Sequence, residues 1–382
     1  MTRPLRGGLI GFGFIAEKGH APAYVARGGS NGDLELVAIA DGCPARQAHA
    51  RRCFPNLPVY PDAKSLLADR SLDLDFVDIA VPPCDHVSIA HAALDRGLHV
   101  LCEKPLGTEP GAVRRLLAHA QRARRVVFPC HNYKHAPVIK AVQAALESGA
   151  VGPVKRVTLQ TFRPTHARGV PEWRPDWRRE RRIAGGGIGM DHGAHTFYLA
   201  CEWLGSTPLS VTATTRSRPE YDTEEDFVCT VSFPTGMVSG YLTWAAGVRK
   251  VLYTLHGERG AIRVEDDDLE VIERDPAAPA GWRVERTHIA SNWMDASHAA
   301  WFTSLFGDFL TAVREQQFVG HEARQALACV ELISAAYGSA RQDSRVVWLE
   351  PDRATASASR SAPEPWAALP AAGVSPAAGA SH

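Results

Sequence analysis

Neither sign of charge is in excess in this chain: 42 Lys and Arg side chains offset 42 Asp and Glu, so the formal net charge is zero. Without a net field the protein has no general pull toward nucleic acid or an anionic membrane, and any electrostatic recognition must be local. Uninterrupted apolar stretches long enough to span a bilayer are also missing. The first residues, Met1 to Arg6, run straight into a strand-like segment with no long apolar leader, so a soluble cytoplasmic protein is expected. Cysteine is sparse: the eight thiols form no Cys-x-x-Cys pair and sit mostly in apolar surroundings, which argues against a disulfide framework or a cysteine-based zinc site. No internal repeat is visible, and 382 residues exceed what one ordinary core accommodates.

What the chain does contain begins with a glycine-rich turn. The apolar Leu9-Ile10 enters Gly11-Phe12-Gly13-Phe14-Ile15-Ala16, which opens a helix-compatible stretch through Arg27. A strand, a glycine turn and a helix N-terminus together aim backbone N–H groups at one point, where a pyrophosphate can sit. Gly11 permits the tight turn, Gly13 the close approach of the cofactor, and Ala16 the packing of helix on strand. The next strand, Leu34 to Ala40, ends at Asp41, the spacing at which a dinucleotide fold places a carboxylate on the adenosine ribose. That carboxylate repels a 2′-phosphate, so NAD is expected over NADP. A simpler role, as N-cap of a helix starting near Pro44, is compatible with it.

Strand-like and helix-like segments alternate up to Phe128, the pattern of a doubly wound parallel sheet with helices on both faces. Beyond Val154 the texture changes to successive strands: Val154–Phe162, Leu209–Arg216, Asp226–Phe233, Met237–Ala245, Val251–Gly257 and Ala261–Glu265. Helices over Met294–Arg314 and Glu322–Tyr337 and a short strand over Val346–Leu349 follow. The expected architecture is therefore a Rossmann-like dinucleotide-binding domain over residues 1–130, then an α+β domain with a large, mostly antiparallel sheet over 131–349. Residues 350–382, rich in Ala, Pro and Ser, read as a disordered tail.

Two further motifs carry chemistry. Cys102-Glu103-Lys104-Pro105-Leu106 follows a buried strand, and Gly185-Gly186-Gly187-Ile188-Gly189-Met190-Asp191-His192-Gly193-Ala194-His195 lies in the second part. On one continuous helix Asp191 and His195 would share a face, putting a carboxylate beside an imidazole able to take an alcohol proton. His192 would point elsewhere. An Asp-His-x-x-His set is also a candidate zinc ligand group, but alcohol oxidation runs with an amino-acid base, and no metal is expected. His131 and His135, also four apart, read as polar wall or core groups.

With the Val81-Pro82-Pro83 segment and His86, these motifs make the chain resemble the Gfo/Idh/MocA family of NAD(P)-dependent sugar and cyclitol dehydrogenases, from about residue 5 to 345. The resemblance implies catalytic roles for Lys104, Asp191 and His195, with His195 the general base and Asp191 touching substrate or orienting it. It implies cofactor contacts for Gly11, Gly13, Phe14, Ile15, Asp41, Pro82, His86, Glu103 and Lys104. Asn132, Tyr133, Trp177, Arg178 and His192 would line the substrate pocket. Lys134 departs from the arginine common at that place, keeping the charge but losing the planar fork. The resemblance further implies a homodimer or homotetramer formed through the second sheet.

The polar, proline-interrupted run Pro171–Arg182 reads as a loop over the substrate or one entering from a neighbouring subunit. The leading expectation is hydride transfer between NAD and a secondary alcohol or ketone of a sugar, sugar derivative or cyclitol. Two alternatives stand beside it: a lyase or glycosidase that oxidises its sugar transiently and recycles the cofactor, and a ligand sensor that has lost catalysis.

Overall fold

Two sheets organise the computed structural model, which describes residues 3–28, 32–290 and 298–349. The residues read as a tail, 350–382, lie outside that range, as do 294–297 of the helix expected from Met294. The first sheet has six parallel strands in the order Val59–Tyr60, Leu34–Ala40, Leu5–Ile10, Phe76–Ile79, His99–Cys102, Val127–Pro129. Strand order reverses between Leu5–Ile10 and Phe76–Ile79, and this is where an open α/β sheet leaves a crevice at its carboxyl edge. Helices such as Pro44–Cys53, His86–Asp95 and Pro110–Ala123 connect the strands.

The expected first helix is divided. A π-type turn over Ala16–His20 precedes the α-helix Ala21–Arg27, which starts with Pro22 where no N–H is needed. The N-cap of Pro44–Cys53 is Cys43 rather than Asp41, whose carboxylate instead accepts the N–H groups of Cys43 and Phe12.

The second sheet has nine strands, ordered Trp282–His288, Asp268–Arg274, Gly260–Glu265, Lys250–Gly257, Val154–Phe162, Met237–Thr243, Asp226–Ser232, Ser210–Arg216, Val347–Trp348. All neighbours are antiparallel except Val154–Phe162 with Met237–Thr243. The helices Gly193–Leu204 and His321–Ala340 cover one face, joining strand residues such as Val157, Leu159, Phe227 and Val238 in the largest core cluster. Asp268–Arg274 and Trp282–His288 were not foreseen. Trp282–His288 is exposed along its whole length, and its alternation of apolar residues stops after Trp282 and Val284, too short to mark a half-buried strand.

Late helices return to the first sheet. Phe302, Leu305, Phe306 and Phe309 of helix Ala299–Arg314 pack on Tyr24, Phe76, Leu101 and Phe128, while Ala323, Ala326 and Val330 of His321–Ala340 meet the sheet's other side. Residues 1–349 consequently form one compact unit. Phe306 is fully buried, edge-on to Tyr24 at 5.0 Å between ring centroids. Phe306→Ala should therefore cost about 3–5 kcal/mol of unfolding free energy in urea titrations.

Candidate active site

The crevice begins at Gly11. Its φ of +93° lies in the left-handed region, and a Cβ there would come within 2.6 Å of the Ala80 carbonyl oxygen, so glycine is required. Nothing stands within 4 Å of where a Cβ on Gly13 would be, which leaves room above the turn for a phosphate group. Phe14 is exposed and Ile15 half-buried at its rim, while Ala16 is fully buried against the sheet.

Asp41 closes the adenosine end. Its Oδ2 accepts the Phe12 N–H at 2.6 Å and its Oδ1 the Cys43 N–H at 2.7 Å, which fixes the carboxylate and leaves lone pairs for a ribose diol. Arg46, the nearest arginine downstream, is not free to meet a 2′-phosphate. Its Nε donates to the Phe12 carbonyl at 2.8 Å and its Nη2 to Glu17 at 2.6 Å, and the side chain is buried. The residues present thus fit NAD and disfavour NADP.

On the other side of the crevice, His86 joins two loops. Its Nδ1 lies 2.8 Å from the Pro105 carbonyl oxygen and its Nε2 2.7 Å from that of Val81, beside Pro82; burial lowers its pKa and outweighs the two carbonyls, which favour the charged ring. Glu103 turns inward: its Oε1 lies 3.1 Å from the His20 ring and its Oε2 accepts the N–H of Lys104. Lys104 reaches the opposite way, its Nζ donating to Oδ1 of Asp191 at 2.9 Å and to the Asp191 backbone carbonyl at 3.0 Å.

The triple glycine exists to let that partner in. A Cβ on Gly187 would overlap the Glu224 carbonyl, and the buried Glu224 carboxylate accepts the N–H groups of Gly187 and Gly189, both at 2.9 Å. Glu224 therefore caps the short helix Ile188–Asp191 from a distant strand end. The chain then breaks at His192 before Gly193–Leu204, so Asp191 and His195 belong to two helices, contrary to the single helix expected.

Asp191 is held by Lys104 and by Arg178, whose Nε lies 3.2 Å from Oδ2, with His192 Nδ1 at 3.5 Å. Burial alone would raise its pKa, but the two cations outweigh that and hold the carboxyl well below its usual range. His195 is oriented differently. Its ring stacks on Tyr133 at 3.9 Å and 8°, and its Nδ1 lies 3.4 Å from the Tyr198 hydroxyl. Burial first, then nearby Lys104 and His192, depress its pKa well below that of free imidazole, and burial pushes His192 down to about 3. Both rings are neutral at physiological pH.

Asn132 is buried next to Tyr133, and its Oδ1 has no hydrogen-bond partner, an unmet acceptor suited to a ligand. Trp177 lies under the Arg178 guanidinium at 4.2 Å. The segment between Arg163 and Glu180 also reaches the adenosine end, where the Glu172 carbonyl accepts from Cys43 Sγ at 3.5 Å. Among residues overlooked in the sequence, Tyr198 and Glu224 act directly on the site. Tyr198 left a signal as a polar group three residues after His195, one helical turn along the same face; Glu224, in an acidic turn, left none.

Residues 5–131 match the model of an oxidoreductase family with an NAD-binding Rossmann fold, and residues 139–263 match the Gfo/Idh/MocA C-terminal domain. Levoglucosan dehydrogenase of Pseudarthrobacter phenanthrenivorans is 28% identical over 73% of this chain and 79% of its own. Inositol 2-dehydrogenase of Rhizobium meliloti is 25% identical over 90% and 98%, respectively. A solved levoglucosan dehydrogenase in complex with NADH and levoglucosan superposes with a TM-score of 0.79 at 23% identity, covering 91% of this chain and 99% of that one, and shares the fold.

Since the position after Asp41 has open space around its Cβ direction, Asp41→Ser combined with Gly42→Arg should raise the NADP-to-NAD ratio of kcat/KM. An unchanged ratio would show that Asp41 does not read the ribose.

Proposed function

Because the chain belongs to the Gfo/Idh/MocA family of NAD-binding oxidoreductases, we propose that it moves a hydride between nicotinamide and a secondary alcohol or ketone of a sugar, sugar derivative or cyclitol. The observation that carries this reading is the Lys104–Asp191 contact beside a buried neutral imidazole. It brings a hydrogen-bond donor, a carboxylate and a proton acceptor together at the carboxyl edge of the first sheet. In this reading residues 1–130 hold the cofactor through Gly11, Gly13, Phe14, Ile15, Asp41, Pro82 and His86. Residues 131–349 supply the substrate side, with Asn132, Tyr133, Trp177, Arg178 and His192 as its walls.

NAD, when bound, supplies the hydride acceptor or donor. In alcohol oxidation the proton passes from the substrate hydroxyl to neutral His195, while the Lys104 ammonium hydrogen-bonds the reacting oxygen as its bonding changes. Asp191 keeps that ammonium in place and offers its remaining lone pairs to a neighbouring hydroxyl. Stacking on Tyr133 limits His195 to rotation in one plane, which suits proton transfer along a fixed line.

A cytoplasmic location is supported by eight free cysteines and by the lack, among the described residues, of any helix long and apolar enough to cross a membrane. A homodimer or homotetramer through the uncovered face of the second sheet is supported by Val228 and Tyr241. These cross-strand partners are 43% and 37% exposed, and Phe162 packs edge-on to Tyr241.

Incubation with NAD and a panel containing levoglucosan and myo-inositol should yield NADH in proportion to substrate consumed. Turnover without NADH accumulation would instead favour transient oxidation with recycled cofactor. Dialysis against a strong chelator should leave the activity intact, and a loss restored by zinc would revive a role for Asp191, His192 and His195 as ligands.

The pH dependence follows from the depressed His195 pKa. Only neutral imidazole accepts the proton, so kcat/KM for oxidation should rise through an acid limb below pH 6.5 and level off by neutral pH. His195→Ala should remove that limb and cost about 10²–10⁴ in rate, with little change in NAD affinity. Lys104→Ala should behave similarly, and the double variant should cost much less than the product of the single losses if both groups act on one oxygen. Wild-type turnover by His195→Ala would refute the assignment of the base.

A further inference from the structure

Behind Lys104 lies a second charged group that neither the crevice nor the substrate walls use. His20 is fully buried, with Nδ1 2.8 Å from Asp78 Oδ2 and Nε2 3.1 Å from Glu103 Oε1. A neutral imidazole donates from one nitrogen only, so two carboxylates facing both ring nitrogens require the protonated ring. Asp78 also accepts the Tyr24 hydroxyl at 3.2 Å, and its Oδ1 is buried without a partner. Two negative charges with no cation between them would be very costly at this depth.

The groups facing His20 come from every neighbouring element: Asp78 from the strand Phe76–Ile79, Glu103 and Cys130 from the ends of adjacent strands, and Tyr24 from the following helix. Helix Ala299–Arg314 contributes the phenyl rings of Phe302 at 4.3 Å and Phe306 at 5.7 Å between ring centroids. The cation is thus answered by carboxylates on one side and closed by aromatic faces on the other, a setting that favours charge over packing alone.

We propose that His20 is a positioning residue: its imidazolium, clamped between Asp78 and Glu103, fixes the backbone at Glu103 so that the next side chain, Lys104, meets Asp191. The link is short and runs through two hydrogen bonds of one carboxylate. Glu103 Oε2 accepts the Lys104 N–H at 3.1 Å while its Oε1 faces His20, so the carboxylate ties the imidazolium to the peptide that carries the lysine. Asp78 anchors the ring to the strand next to the nucleotide turn. The clamp therefore references Lys104 to the sheet rather than to the mobile reach of its own side chain. This inference rests on the role given to Lys104 above.

The two carboxylates overcome the penalty of burial and raise the pKa of His20 to about 10. The sign of the linkage follows: a raised folded-state value means the stabilisation is complete below the ordinary histidine pKa of about 6.5 and is lost as pH rises toward 10. Turnover that depends on the clamp should therefore fall along an alkaline limb in the same direction.

The test uses the full chain with levoglucosan or myo-inositol, whichever the panel shows to be the better substrate. His20→Gln should lower kcat about 10- to 100-fold at saturating substrate and abolish the alkaline limb, with NAD affinity within about threefold of wild type because the adenosine end is held by Asp41 and the glycine turn. Asp78→Asn keeps the shape but removes one of the two charges, so its alkaline limb should move to lower pH; it gives the answer if His20→Gln does not fold. Unchanged kcat and an unchanged limb in both variants would overturn the proposal. So would a His20→Gln protein that loses NAD binding and thermal stability together with turnover, since that is the mark of a purely structural residue. Lys104→Met in the same assay separates the two levels of inference: if it is fully active, the reading of the site fails, and if it is inactive while His20→Gln is normal, only the clamp fails.

Discussion

An ammonium on one part of the chain and a carboxylate on another meet where neither is well solvated, and the proposed catalytic arrangement depends on that contact. Lys104 leaves the first sheet at its carboxyl edge, and Asp191 arrives on a helix of a single turn, 87 positions later. Burying such a pair yields little net stability, because the loss of hydration roughly cancels the attraction. What it yields is registration. The costs of misplacing either charge are large, so the two halves of the site have one favourable relative placement. Arg178 reinforces this by occupying the second oxygen of Asp191, and the glycines from 185 to 189 allow the backbone to approach closely enough for the pair to form.

Electrostatics also explains how a chain without net charge can still discriminate. In the proposed reading, choice between NAD and NADP is made within a few ångströms, by one carboxylate fixed by two N–H groups and one arginine already committed to Phe12 and Glu17. The arginine count is therefore a poor guide to cofactor preference; what matters is whether a guanidinium has donors left. The same reasoning applies to the Arg181–Arg182 pair. Arg181 donates to the Asp222 backbone carbonyl and Arg182 lies beside Glu180, so the donors of this basic stretch are directed at groups within the protein.

Much of the architecture was legible because it rests on local patterns. The alternation of strand and helix up to Phe128, the turn at Gly11, Asp41 after the second strand and the lysine after Glu103 all reflect short-range geometry. What escaped detection was built from distant partners. The helix carrying Asp191 is capped at its start by Glu224, from the turn before the strand Asp226–Ser232, and no spacing within the motif reveals that. His20 looked like an ordinary residue in a helical stretch; the one available hint was Asp78, an ionisable side chain inside the apolar run Phe76-Val77-Asp78-Ile79, where burial demands a counter-charge. The exposed strand Trp282–His288 pairs through its backbone, and beyond Trp282 and Val284 carries no apolar residues to betray it.

The return of helix Ala299–Arg314 to the first sheet has a consequence for biosynthesis. The face made by Tyr24, Phe76, Leu101 and Phe128 is complete in sequence by residue 130, yet its cover of Phe302, Leu305, Phe306 and Phe309 is translated long afterwards. Between those two moments the ribosome must deliver all nine-strand-sheet segments but the last, while the nucleotide-binding part waits with an open aromatic surface. Although the glycine turn and its strands lead the chain, that part cannot finish folding first. A nascent chain of this design leaves that apolar face uncovered for about half of its synthesis, and the last third of translation closes the cofactor-binding half of the molecule.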